Sequence, residues 1–421
     1  MRSVTTPVRV AAGLISPILS LVLVIFSLRR ALYTLAMLIP RVTTSPRLGG
    51  SVRHQDDGLW PHILVLVPCR DEENLITGLC ESLRALDYPH ERLRVVLIDD
   101  GSRDSTARMM EEQARGRAGW SVLSLPHNVG KARALNAALA RHSFGDIIYV
   151  FDADHRPRRD ALRRAISYLD DPATAGMSGR TVPVNALAGV SSYYASVENA
   201  VHQMVTMRGK DRLDLGPALL GSNCAYRRDA LSQLGGFRPG ALLEDYDLTY
   251  RFYLAGYRVR FAEDVISYQQ VPETVGGYVR QHVRWSRGFH AVARDYGLMV
   301  ARDGRLSVPL RMELIVTMLG YLDRLAFLGA IVLACASAVT GRKTRFLYPV
   351  LNLAVATPLV QILALFVEQR YPFAMWLRLP LVPLFFLGDI VAAAMSTIQS
   401  LSRRPQVWTK TERSRALERT Y

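Results

Sequence analysis

The chain reads as an α/β protein: a mostly parallel sheet carries the functional region, and membrane helices flank it at both ends. Three observations predict this. Between about residues 60 and 150, short apolar runs of strand length alternate with helix-like segments, the pattern of a parallel sheet covered on both faces. Apolar stretches near the ~20 residues that a bilayer core requires lie at 10–28 and again at about 313–340, 346–368 and 379–400. Each strand-like run also ends in polar residues, which such a topology collects along the sheet edge where open α/β folds bind ligands.

His62 to Pro68 is the first strand, halted by its proline, and Arg70-Asp71-Glu72-Glu73-Asn74 then opens a helix whose acidic first turn suits the helix dipole. Leu93 to Ile98 is the second strand, running into Asp99-Asp100-Gly101-Ser102 and a helix from Ser105. Trp120 to Leu125 is the third, and Asn128 to Asn136 is a turn feeding a helix. The fourth, Ile147 to Phe151, ends in Asp152-Ala153-Asp154. Side chains alternate faces in a strand, so these two carboxylates project together and suit a hard divalent cation, Mg²⁺ or Mn²⁺. A surface Asp-x-Asp closing a strand is the alternative reading. The chain has neither a G-x-G-x-x-G nor a G-x-x-x-x-G-K-[ST] motif, which removes support for dinucleotide binding and ATP hydrolysis.

The chain has 421 residues, enough for one large domain plus added segments. We divide it into an N-terminal anchor and linker (1–54), the α/β domain (55–300), C-terminal membrane or interfacial helices (301–400) and a basic tail (401–421). Arg29-Arg30 and a second apolar stretch follow the first apolar run, which marks an uncleaved anchor rather than a signal peptide. The net charge is +15, carried almost wholly by arginine; lysine occurs only at 131, 210, 343 and 410. No helix-turn-helix, zinc-finger or RNA-recognition signature accompanies it, so nucleic acid is not the expected partner, and basic residues facing lipid account for the excess. Four cysteines at unpaired spacings indicate neither a disulfide framework nor a zinc site.

Val67-Pro68-Cys69-Arg70-Asp71-Glu72-Glu73, Ile98 to Asp104, Asn128 to Asn136 and Phe151 to Pro157 resemble the nucleotide-sugar half of an inverting family 2 glycosyltransferase. Gly221-Ser222-Asn223-Cys224-Ala225-Tyr226-Arg227-Arg228 and Leu243-Glu244-Asp245-Tyr246-Asp247-Leu248 resemble its acceptor half. Gln281-His282-Val283-Arg284-Trp285 resembles the Q-x-x-R-W signature of membrane polysaccharide synthases, among them cellulose, hyaluronan, chitin and poly-N-acetylglucosamine synthases. The resemblance covers about residues 60–290.

It implies a GT-A-like fold and transfer of a sugar from a UDP-sugar to a growing β-linked polysaccharide. Pro272-Glu273-Thr274 looks closest to the poly-N-acetylglucosamine branch, so N-acetylglucosamine is the expected sugar and glucose the next. The alternative is a single transfer to a lipid acceptor. By resemblance Pro68, Glu72, Asp100, Lys131, Asp152 and Asp154 line the donor pocket, with Mg²⁺ or Mn²⁺ on Asp154 aided by Asp152. Asp100 before glycine also suits a plain turn, and Lys131 a solvated helix start. Asp71 stands where the family usually has Asn, and His155 is expected to be structural rather than a ligand.

Asp245 is the expected base, with Glu244 beside it; Asp247 would share its face if the stretch were extended, although the same residues suit the first turn of a helix. Gln281, Arg284 and Trp285 are expected at the acceptor and diphosphate, where a guanidinium forks onto phosphate and an indole faces a sugar ring. Trp408, Thr411 and Arg413 resemble a gating loop that closes over the nucleotide.

The topology contains a conflict. UDP-sugars are made in the cytoplasm, and Arg29, Arg30 and Arg41 place the α/β domain there by the positive-inside rule. Three full C-terminal crossings would then put the tail, with its lid motif, outside. Either one C-terminal stretch is interfacial or re-entrant, which suits 379–400 with Pro380, Pro383 and Asp389 and also the amphipathic start near Arg311 and Glu313, or the lid reading fails; the tail's arginines favour an inside tail.

Overall fold

In the computed structural model, which describes residues 5–39, 60–339 and 347–401, the α/β domain is built on one eight-stranded sheet. Its strands are β1 (Ile63–Cys69), β2 (Leu93–Asp99), β3 (Trp120–Ser124), β4 (Ile147–Val150), β5 (Arg156–Pro157), β6 (Thr174–Pro183), β7 (Cys224–Arg227) and β8 (Arg258–Gln269). Their spatial order is β3-β2-β1-β4-β7-β6-β8-β5. The half formed by β3, β2, β1 and β4 is parallel, whereas β7 runs antiparallel to both β4 and β6.

The strands are apolar throughout because helices cover both faces. Leu64, Leu66, Val96, Ile98, Ile148 and Val150 enter one buried cluster, and their neighbours Ile63, Val65, Val67, Val95, Leu97 and Tyr149 enter the other. Each fully buried aliphatic side chain stabilises the fold by about 1.5–3 kcal/mol. Pro68 does not halt β1, which continues to Cys69. Pairing with β4 ends at Leu66 and Val150, so a proline two residues on takes no bond from that ladder.

The helix Val275–Arg302 starts at Thr274, whose hydroxyl accepts from the Gly277 N–H at 3.1 Å. Among the described residues, two helices, Ile15–Leu38 and Leu347–Glu368, are long and apolar enough to cross a membrane. Two bent pairs match only if each counts as one span: Val308–Met318 with Leu322–Ala338 (65°) and Phe373–Leu381 with Phe386–Ser400 (56°). Leu23 packs against Ala326, Ala330, Leu347 and Ala354, while the far end of the same helix, at Tyr33 and Met37, packs with Met204, Val205 and Leu365 beside the sheet domain. Arg208 meets Glu368 at 2.8 Å at that same end.

The last helix, Val382–Leu401, lies along Val275–Arg302. Ser286 Oγ meets Ser396 Oγ at 2.6 Å, and four residues later His290 Nδ1 meets Ser400 Oγ at 3.1 Å, so the two helices run parallel. Leu401 therefore ends beside the sheet domain. The expected gating residues Trp408, Thr411 and Arg413 lie outside the described residues.

Candidate active site

The site forms where the carboxyl ends of β1, β2 and β4 meet the turn before β7 and the helix Glu244–Leu254. Asp71 has a left-handed backbone (φ 52°), a conformation in which Asp and Asn are enriched and which accounts for their exchange at this position. Its N–H donates to Ser102 Oγ (3.0 Å) and its carboxylate accepts from the Arg103 N–H (2.8 Å). The Glu72 N–H donates to Thr106 Oγ1 at 2.7 Å, so Pro68 to Glu72 is stitched to the loop after β2.

Asp100 is buried and accepts from the N–H groups of Val129 (2.7 Å) and Gly130 (3.0 Å). Its carboxylate shapes the turn that launches the helix Lys131–Arg141, which makes it a turn former across two loops rather than within its own. Gly101 (φ 68°) is obligatory there, since a Cβ would sit 2.5 Å from the His127 carbonyl carbon.

Lys131 stands at the centre of the site. Its ammonium lies 2.8 Å from Asp152 Oδ1 and 3.1 Å from Glu244 Oε1, and donates to the Gly221 carbonyl at 2.7 Å. Burial alone would weaken that charge; Asp152, Glu244 and Asp245 outweigh it and push the Lys131 pKa up. The solvated-lysine alternative does not hold.

Asp152 and Asp154 converge by a different route from the one the sequence suggests. β4 ends at Val150, and the two carboxylates sit in a turn closed by the His155 N–H donating to the Asp152 carbonyl (3.1 Å). The Asp152 N–H donates to Ser222 Oγ at 2.8 Å. Ligand atoms of Asp152, Asp154 and His155 all lie within 4.8 Å of one another, which makes His155, expected to be structural, a candidate third donor. Its Nδ1 contacts Ser267 Oγ at 3.0 Å, which orients the ring. Two carboxylates and an imidazole fit Mn²⁺ well and Mg²⁺ through the oxygens. Behind them the buried Arg156 donates to the carbonyls of Ala153, His155 and Leu75 and pins the turn to the helix Glu73–Arg84.

Asp245 lies in the first turn of Glu244–Leu254 with Oδ1 accepting from the Tyr246 N–H (2.8 Å). A Cβ on Gly221 (φ 80°) would come within 2.9 Å of Asp245 Oδ2, so the glycine leaves room for that carboxylate. Burial first, and the Glu244 charge next, push the Asp245 carboxyl up to about 7 against the opposing pull of Lys131. Asp247 belongs elsewhere: helical geometry turns it inward, where it accepts from the Tyr296 hydroxyl (2.7 Å) and pairs with Arg238 (2.8 Å).

Gln281, Arg284, Trp285 and Gly288 fall on one helix face by their spacing. Gly288 fixes its direction, because a Cβ there would lie 2.3 Å from Leu243 Cγ, next to Glu244. Trp285 is half-buried against the core under the site. Sequence reading passed over Ser222, Gly221 and Arg156 as individuals. All three stand inside quoted motifs, and the glycine, with its positive φ, was the most accessible signal.

A curled, mostly parallel sheet with a two-carboxylate turn and an acidic cluster at one edge is a GT-A-like architecture. The chain belongs to the glycosyltransferase-like family 2, whose model matches residues 61–288, more than half of the chain. It is 32% identical over 232 residues to a probable glycosyltransferase, YdaM, of Bacillus subtilis, covering 54% of this chain and 55% of that one. It is 28% identical over 240 residues to the poly-beta-1,6-N-acetyl-D-glucosamine synthase of Staphylococcus aureus strain MSSA476, covering 56% of each. The chain thus spans about half the length of these curated relatives. Among solved structures, the mannosyltransferase PcManGT of Pyrobaculum calidifontis, in complex with GDP-Man and Mn2+, superposes with a TM-score of 0.60 at 22% identity over 92% of this chain and 98% of that one. That likeness concerns the fold.

Proposed function

We propose that the protein is a membrane-embedded, inverting glycosyltransferase that transfers N-acetylglucosamine from its UDP-sugar to a growing β-linked polysaccharide. The single observation that carries this reading is the arrangement around Lys131: a donor-side carboxylate, Asp152, and the base pair Glu244–Asp245 gathered on one ammonium. Inversion needs a leaving group and a base on opposite sides of one sugar carbon, and this cluster supplies both sides within one pocket. N-acetylglucosaminyl relatives support the sugar, with glucose as the next candidate.

Asp154, Asp152 and His155 would hold the divalent cation, which when bound supplies charge neutralisation to the departing diphosphate. Asp245 takes the proton from the acceptor hydroxyl at its carboxylate. Glu244 raises its basicity, and Lys131 keeps Asp152 and Glu244 from repelling each other. Gln281 and Arg284 face the diphosphate, and Trp285 receives the acceptor ring. Pro68, Glu72 and the Asp100-shaped turn line the donor side.

The α/β domain lies on the cytoplasmic side, with Arg29 and Arg30 at the boundary. Only two of the C-terminal stretches cross; Val382–Leu401 returns along Val275–Arg302, which supports an inside tail.

Product sizing from the protein in lipid nanodiscs, with Mg²⁺ or Mn²⁺ and a panel of UDP-sugars, tests this. One donor should yield a long polymer. A single sugar added only when a lipid acceptor is supplied would move the protein to the lipid-glycosylating class.

A further inference from the structure

A second polar cluster lies on the helix Val275–Arg302, and the transfer chemistry does not use it. His282, inside the Gln281–Trp285 motif, is buried. Its Nε2 lies 3.0 and 3.1 Å from the two carboxylate oxygens of Glu198, and its Nδ1 lies 3.0 Å from the Tyr278 carbonyl. Both partners can only accept, so both ring nitrogens carry protons and the ring is an imidazolium. Burial opposes both charges of the pair; their mutual attraction overrides it, holding Glu198 below the ordinary carboxylate range and His282 above its own. The Tyr278 hydroxyl donates toward Glu198 Oε2 (2.9 Å) and also meets Asp389, and the Tyr278 ring stacks on His282 at 3.9 Å. His282 also meets the Trp285 indole in a T-shaped contact, with ring centroids 4.9 Å apart and planes at 63°.

Ligand atoms of Glu198, His282 and Asp389 also lie within 4.8 Å of one another. Hydrogen bonds from imidazolium and tyrosine account for these contacts without an ion. What the cluster does instead is hold one imidazolium, fixed at both ring nitrogens, in T-shaped contact with one indole, so the set of the imidazole limits the orientation that the indole can take.

We propose that Glu198 and His282 form a positioning pair: the carboxylate holds the imidazolium, and the imidazolium sets the orientation in which Trp285 receives the acceptor sugar. This rests on the reading of Trp285 as the acceptor platform. Nothing in the pair touches the reacting atoms, so its effect falls on acceptor binding and alignment rather than on the donor.

The test uses the full protein in nanodiscs with its five tryptophans replaced by 5-fluorotryptophan, the Trp285 resonance being assigned with Trp285→Phe. Glu198→Gln keeps the size and removes the charge. It should shift or broaden the Trp285 fluorine signal while the other four stay in place, and Glu198→Asp should restore it in part. With UDP-N-acetylglucosamine and a short β-linked N-acetylglucosamine oligosaccharide as probe acceptor, Glu198→Gln should raise the acceptor KM about tenfold and leave the donor KM unchanged. His282→Gln, which keeps a donor toward Glu198 and loses the cation, should behave alike. An unmoved Trp285 signal in both variants overturns the proposal. Collapse of all five signals in both does so too, because the pair would then hold the fold as a whole. If Trp285→Phe itself leaves the acceptor KM unchanged, the platform reading fails, while a displaced signal in Glu198→Gln still upholds the positioning.

Discussion

At the scale of single residues the site works by crowding like charges around one cation. Asp152 and Glu244 pair with Lys131 while Asp245 stands close by, and partial burial with the neighbouring Glu244 charge pushes the Asp245 carboxyl up to about 7. Only the deprotonated form accepts the acceptor's proton. Activity is therefore expected to fall about tenfold per unit below that midpoint and to level off above it, read as kcat/KM against pH. Asp245→Asn should lower transfer by about 10²- to 10⁴-fold while UDP binding by calorimetry persists; near-normal turnover would remove Asp245 as the base. For Asp154→Asn, a Mn²⁺ titration of nucleotide binding should move to higher concentration, and an unmoved curve would take the cation away from this turn. The residue types and their order were legible in the sequence. The role of Lys131 was not, because its partners lie 21, 90 and 113 positions away in the chain.

Among elements, the helix Val275–Arg302 couples the site to the last apolar helix. It packs on Leu243 through Gly288, carries the Gln281 to Trp285 motif on that face, and lies along Val382–Leu401 through Ser286 and Ser396. Gly288→Ala would place a carbon inside the Leu243 side chain, so the helix must retreat or Leu243 must move. We expect a stability loss of about 1–3 kcal/mol, seen as a lower midpoint in thermal unfolding, together with reduced transfer. Unchanged stability would mean that the helix is held elsewhere. The strands of the parallel half were readable from apolar runs, because both faces are buried and every residue carries the signal. The Asp152–Asp154 turn was misread as strand for the same reason: the apolar run continues to Phe151, and only the end of pairing at Val150 says where the ladder stops.

Across the whole molecule, charged groups join the terminal helices to the sheet domain. Glu313 accepts from Arg29 at 2.7 Å and pairs with the fully buried Lys210 at 3.0 Å, and Arg30 pairs with Asp323. Glu313→Gln would leave the buried Lys210 and the part-buried Arg29 without their carboxylate, a loss of about 3–5 kcal/mol that should appear as a sharp fall in folded protein recovered from membranes. Recovery at the wild-type level would show that the pairs are dispensable. The parallel course of Val382–Leu401 and Val275–Arg302 makes a topological prediction as well. A reporter fused to the C-terminus should report the same side of the membrane as one inserted in an exposed loop of the sheet domain, and opposite sides would restore a full final crossing.

The sequence by itself determined the α/β class, the parallel strands, the apolar termini and the family, because burial on both strand faces, bilayer length and local motifs are all written in contiguous residues. Only the tertiary structure decided that His155 stands beside the two carboxylates, that Asp247 turns into the core, that Asp100 shapes a neighbouring loop and that the last helix lies beside Val275–Arg302. Those facts depend on side chains distant in the chain meeting in space, and the pairing of a charge with its partner leaves no period and no composition for a linear reading to find.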